Sequence, residues 1–92
     1  MNPLDKIEFA RADIATLPLD ALIEALAEIE HEQWLHWSQA VAGDVPELTR
    51  ARWERSWVGY ETLREELKEA DRIWARKVVA LLRKHQVIGD RE

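Results

Sequence analysis

The chain has no cysteine, three glycines, three prolines, one tyrosine and one phenylalanine. Each shortage excludes something. Without cysteine there is no disulfide, no thiolate metal ligand and no thiol nucleophile. So few glycines and prolines do not supply the turns of an all-β domain. The longest uninterrupted apolar run, Val78-Val79-Ala80-Leu81-Leu82, is five residues, far short of the roughly 20 that a membrane-crossing helix needs. A basic region followed by an apolar stretch is missing near Met1, so a cytoplasmic setting is expected.

What is present fits one small globular domain over residues 1–92, with 47% hydrophobic and 34% charged residues. That balance excludes a disordered chain. Ala, Leu, Glu and Arg dominate, which favours helix. Five tryptophans outnumber tyrosine and phenylalanine together, and any functional reading has to place them. Chains of this length bury a modest share of their surface, so association with a partner is expected to help, and a homo-oligomer is expected.

Charge is unevenly spread. Residues 1–32 carry eight acids against two bases, whereas residues 47–84 carry ten bases against seven acids, within an overall −5. The two parts are expected to face one another. The negative total argues against a nucleic acid polymer as partner, and it leaves room for a local cationic pocket that takes a small phosphate-bearing ligand.

Apolar spacing predicts four helices and no strand. Ile7, Ala10, Ile14 and Leu17 mark a short N-terminal helix within 1–18, interrupted at Pro18. Asp20 is the expected N-cap of a long helix over 20–42, with Leu22, Leu26, Ile29 and Gln33 on one stripe and Ile23, Ala27, Trp34 and Val41 on the next; Gly43 is its expected stop. A short helix rich in Trp and Arg is expected over 48–58, ended by Gly59. Thr62 and Glu65 read as a capping box opening the last long helix, 62–86, whose core stripe is expected to be Leu63, Leu67, Ala70, Trp74, Val78 and Leu81. Trp74 is expected in the core. The expected architecture is all-α, with the two long helices antiparallel and the two shorter ones laid across them.

Metal and catalytic chemistry find weak signals. Glu28 and His31 form one Glu-x-x-His pair, but a carboxylate-bridged bundle site needs two. The acidic cluster Glu65, Glu66, Glu69 and Asp71, with Glu28 and Glu32 as a second pair, resembles the carboxylates of helical magnesium-dependent nucleotide hydrolases, but Glu65 to Lys68 and Glu69 to Arg72 read first as ordinary helix-surface ion pairs. No nucleophile elbow or phosphate loop is present. The expectation is therefore no catalytic residue, no metal and no cofactor.

The aromatic residues say more. Trp34 and Trp37 lie three apart on one helix, and Trp53 and Trp57 lie four apart on another with Arg50 on the same stripe and Tyr60 just beyond. Indole and guanidinium planes grip purines, and Arg52 or Arg55 is placed to meet phosphate oxygens. The competing reading is a Trp-rich core. Lys68, Arg72 and Arg76 form a cationic stripe at four-residue steps.

Two segments resemble the ryanodine-receptor repeat, or RyR domain. Glu30-His31-Glu32-Gln33-Trp34 is similar to the family's His-Glu-x-Trp helix. The segment from Tyr60 to Arg72 is similar to its Tyr-x-x-Leu stretch followed by acidic residues, Lys and Asp-Arg. With the apolar tail Val78 to Leu82, Val87 and Ile88, the likeness covers about half the chain. The family's Gly-Trp-x-Tyr-Gly and His-Pro stretch is replaced here by Ser38 to Val58. The resemblance implies a non-enzymatic module that binds adenine-type nucleotides, with His31, Glu32, Trp34, Tyr60, Lys68, Asp71 and Arg72 as matched positions and Asp71 holding Lys68 or an arginine. It also implies a link to nucleotide-signal immunity and a phage-type anti-defence role.

The sequence therefore leads to a binding module for a nucleotide-derived molecule, such as a cyclic or ADP-ribose-type signal. The expected ligand contacts are His31, Trp34, Trp37, Arg50, Trp53, Arg55, Trp57, Tyr60, Lys68 and Arg72. The alternatives are a protein-protein or self-assembly module whose tryptophans anchor a partner, and a metal-dependent hydrolase.

Overall fold

The computed structural model describes residues 17–85 and 87–88. The expected N-terminal helix within 1–18 lies almost wholly outside them. Three α-helices and two single 3-10 turns make up the described part: α1 (Leu19–Ala40), a turn at Ala42–Asp44, α2 (Glu47–Glu54), a turn at Tyr60–Thr62 and α3 (Glu65–Lys84). No described residue is in a strand. The fold is all-α, and α1 and α3 are its main packing pair. They run antiparallel: Leu22 near the start of α1 clusters with Val79 late in α3, while His31 faces Asp71 earlier in α3.

Helix boundaries differ from the expected ones for identifiable reasons. Pro18, with an extended ψ of 145°, is the N-cap of α1, and Asp20 lies inside the first turn, where its charge favours the helix dipole. Val41, not Gly43, ends α1, its N–H donating to Trp37 O at 3.1 Å. α2 starts just after Pro46 and stops at Glu54 rather than Val58; Ser56 and Trp57 then donate backward to Trp53 and Glu54 carbonyls in tight turns. The capping box does not form. Thr62 sits in the preceding 3-10 turn and donates Oγ1–H to the Gly59 carbonyl at 3.0 Å, and Arg64 is the N-cap of α3, without a side-chain cap. Glu65 and Glu66 in the first turn and Arg83 and Lys84 in the last complement the dipole of α3 instead.

Packing is set by small and polar residues more than by large apolar ones. Ala27 and Ala75 are fully buried, which fits two helices approaching closely. A hydrophobic cluster of Leu22, Val79 and Ile88, backed by Leu17, Leu19, Ile23, Leu26 and Leu82, closes one end of the pair. The buried line of α1 continues through Ala27 and His31 to Ser38, with Trp34 half-buried on the same face. It follows the second of the two expected stripes; Ile29 and Gln33 of the first are exposed.

On α3 the expected core stripe is displaced. Residues 68, 71, 72, 75, 79 and 82 share the face toward α1, roughly one residue's rotation of about 100° from the stripe expected in the sequence. Trp74 is consequently 55% exposed, and Val78 and Leu81 are exposed with it. Trp74 is a surface residue, with the Lys77 ammonium 4.5 Å from its ring centroid. Leu63, just ahead of α3, is buried and Leu67 in its first turn is half-buried, and both line a hollow shared with α2 and the segment after it.

Candidate functional site

Opposite the hydrophobic cluster, the second half of α1, α2 and the first turns of α3 border a half-open cavity of about 480 Å³, a size that suits a small organic ligand. His31 and Trp34 enter from α1, Arg52 and Trp53 from α2, and Leu67, Ala70 and Asp71 from α3. Arg55, Ser56, Leu63 and Arg64 complete the wall from the connecting segments. A second hollow of about 300 Å³ shares Arg55, Ser56, Leu63, Arg64 and Leu67 with the first and adds Val58 and Thr62.

The aromatic wall is ordered by ring contacts. Trp53 meets Trp34 edge-on with centroids 6.1 Å apart, and Trp34 stacks on His31 at 5.9 Å and 22°. Such pairs hold one another's orientation. The local reason is spacing: His31 and Trp34 are three apart on α1, and the break after Pro46 lets α2 turn Trp53 onto them.

Three guanidiniums border this wall. Arg64 is loosely paired with Glu66 at 3.6 Å, both largely exposed. Arg52 and Arg55 make no ion pair among the described residues and are exposed at the cavity. Unpaired arginines beside indoles form an anion-accepting rim.

The floor is polar and buried. His31 is 3% exposed and its Nε2 lies 2.6 Å from the Val58 carbonyl oxygen. A carbonyl only accepts, so Nε2 carries the hydrogen, and Nδ1 faces Asp71 Oδ2 at 3.8 Å. The expected pairing of Asp71 with Lys68 or an arginine is thus replaced by one with His31. Burial pushes the Asp71 carboxyl above its ordinary value; the His31 ring opposes this and Glu30 adds to it.

Four of the ten expected ligand contacts, His31, Trp34, Trp53 and Arg55, meet at the cavity. Trp37 stands behind Trp53, centroids 5.5 Å apart, and is half exposed. Arg50 pairs along α2 with Glu54 at 4.0 Å. Trp57 turns inward and donates Nε1–H to the fully buried Ser38 Oγ at 3.1 Å, while Ser38 donates to Leu35 O. Tyr60 donates to Glu24 Oε2 at 2.5 Å. Lys68 lies 3.9 Å from Glu65 and 5.6 Å from the Tyr60 ring centroid. Arg72 bridges Glu24 at 2.6 Å and Glu65 at 3.0 Å. These last residues fasten helices together.

Ser56, Arg64, Leu67 and Ala70 are wall residues to which the sequence gave no functional role, and Leu63 was marked only as the leucine of the Tyr-x-x-Leu stretch. Asp71 was marked by the acidic cluster and by the family-like segment, and Arg52 by its place beside Trp53. Among the described residues no group of three or more His, Cys, Asp or Glu side chains is gathered as a metal ion would need. No described helix is long and apolar enough to cross a membrane. Comparison with known protein families, with curated proteins and with solved structures finds no match for this chain.

Proposed function

We propose that the chain is a non-enzymatic binding module that holds an anionic, nucleotide-derived small molecule in the cavity between α1, α2 and α3. The observation that carries the proposal is the convergence of Trp34 and Trp53 with the unpaired Arg52 and Arg55 on one hollow of about 480 Å³. Aromatic planes take a base by stacking, worth about 1–3 kcal/mol per base, and guanidiniums take phosphate oxygens. The RyR-like segments around His31 to Trp34 and Tyr60 to Asp71 contribute residues to the cavity or its support, which favours the same reading. A cyclic or ADP-ribose-type signal, sequestered by a phage-type protein, is the finer form of this proposal. Isothermal calorimetry and tryptophan fluorescence against a panel of nucleoside phosphates and cyclic nucleotides test it; neither heat nor quenching at micromolar ligand would overturn it.

A second reading is favoured by the exposed apolar flank of α3. Trp74, Val78 and Leu81 lie on one side of the helix and are exposed, a material typical of association hot spots. In this reading the flank is where a second copy of the chain packs, forming a homo-oligomer. Light scattering on the intact protein and on Trp74→Gln separates the outcomes: a lower mass for the variant supports it, and a monomer at every concentration removes it.

A further inference from the structure

The cavity has cationic groups at its rim and one carboxylate at its floor, and the carboxylate is the more selective feature. Asp71 is placed on the first turns of α3 with a side chain only 19% exposed. It accepts no hydrogen bond from any described residue; its one polar neighbour is His31 Nδ1 at 3.8 Å, beyond hydrogen-bond range. Its oxygens still reach solvent, so a ligand seated against them displaces water and has to offer donors in its place. Because Asp71 lines the hollow that Trp34 and Trp53 also line, a ligand stacked on the indoles would meet that carboxylate.

Base chemistry narrows that ligand. An ionised carboxylate has two acceptor oxygens and no hydrogen to give. Adenine and cytosine each offer an amino donor beside a ring nitrogen whose lone pair would face the second oxygen. Uracil offers one N–H between two carbonyls. Guanine places the N1–H and the N2 amino group side by side, so it alone among the common bases meets both oxygens of one carboxylate with donors.

We propose that this site reads guanine: Asp71 accepts hydrogen bonds from N1–H and N2–H of the base, Trp34 and Trp53 hold the ring, and Arg52 and Arg55 take the phosphates. This rests on the nucleotide-binding reading above and sharpens it, and it departs from the adenine that the family resemblance implies. His31 is a positioning residue here: with Nε2–H tied to the Val58 carbonyl, its other nitrogen stands against Asp71 and fixes where that carboxylate lies. The adjoining hollow beside Arg55 and Arg64 gives the sugar and phosphates room to extend.

The test uses the full chain with GDP, ADP and xanthosine diphosphate, followed by calorimetry and tryptophan fluorescence. GDP binding tighter than ADP by roughly ten- to hundredfold is expected, the range that one further hydrogen bond to a charged acceptor supplies, because adenine keeps its amino donor. Asp71→Asn should weaken GDP by a similar factor and improve xanthosine diphosphate, whose 2-carbonyl accepts from the new amide. Equal affinity for GDP and ADP in the unmodified protein overturns the guanine inference while leaving the nucleotide site standing. Failure of all three to bind overturns both. A GDP preference that survives Asp71→Asn, in a variant whose circular dichroism matches the parent, also overturns the assignment. The GDP to ADP ratio of the unmodified protein decides the matter if that variant does not fold.

Discussion

Arg72 Nε donates to Glu24 Oε1 at 2.6 Å, joining the third helix to the first through a pair contributed by the basic and the acidic parts of the chain. Tyr60 donates to the other oxygen of the same carboxylate, so Glu24 collects two segments distant in sequence. Desolvation pushes the Glu24 carboxyl up, but the Tyr60 hydroxyl and Arg72 together outweigh it and hold the group below its ordinary value of 4.5. Burial and the neighbouring Glu24 push the Tyr60 hydroxyl well above its ordinary 10.0.

This network sets the pH limits of stability. A carboxyl whose folded value is depressed stabilises the fold above about pH 4.5 and loses that contribution as pH falls through the lower folded value. A raised tyrosine hydroxyl stabilises fully below pH 10.0 and loses its contribution as pH rises beyond it. Tyr60→Phe should lower stability by about 1 kcal/mol, discounted for the half-exposed Glu24. Urea titrations from pH 3 to 11 should show the parent's advantage over the variant narrowing at both ends.

Ser38 is the acceptor for the Trp57 indole at a position with no exposed surface. Ser38→Ala leaves that N–H unsatisfied and should cost about 1–3 kcal/mol. Thermal unfolding reads this as a fall of roughly 4–8 °C per kcal/mol. An unchanged midpoint would remove Trp57 from the structural set.

Close helix approach at Ala27 and Ala75 gives a sharper expectation. Ala27→Leu forces added volume into a contact with no exposed area and should destabilise by about 1–3 kcal/mol. Trp74→Gln, although it removes a far larger side chain, should shift stability by only about 0.5 kcal/mol because the residue is at the surface. The order of these two effects in denaturant unfolding checks the placement of α3.

Charge reversal at the cavity rim separates binding from folding. Arg52→Glu and Arg55→Glu lie on exposed positions, so each should leave the thermal midpoint within the range of ordinary surface substitutions. Each should weaken nucleoside diphosphate binding by about tenfold or more, since charge-assisted hydrogen bonds are lost and repulsion is added. Calorimetry at two salt concentrations should show the remaining salt dependence reduced in the variants.

Much of the helical order is legible in the sequence. The two long helices, the short Arg- and Trp-bearing helix and the break near Pro46 follow from apolar spacing and backbone punctuation. The facing surface of α3 was not legible, because its first half is made of Lys68, Asp71, Arg72 and Ala75, which carry little hydrophobic signal, and only Val79 and Leu82 mark it beyond. Leu63, Leu67, Ala70, Trp74, Val78 and Leu81 drew the eye as a core stripe, yet they occupy a flank whose first half lines the cavity and whose second half is exposed. The same limit applied at Tyr60 and Arg72. Their residue types fit ligand binding equally well, and only the distance to Glu24 assigns them to holding the helices together.

The sequence by itself determined that this is a helical chain without thiol chemistry or a run long enough to span a bilayer, with acidic and basic parts suited to pair. Local propensity and charge decide such properties, and both are written residue by residue. The tertiary structure decided which tryptophans share a cavity and which lie elsewhere: Trp34 and Trp53 meet across a gap of 19 residues, Trp57 turns to Ser38, and Trp74 remains outside. The break after Pro46 brought Trp53 onto Trp34, and the rotation of α3 about its axis left Trp74 outside. That rotation is fixed by the joint fit of two small alanines, an ion pair and a buried histidine, a balance that no single residue's pattern encodes.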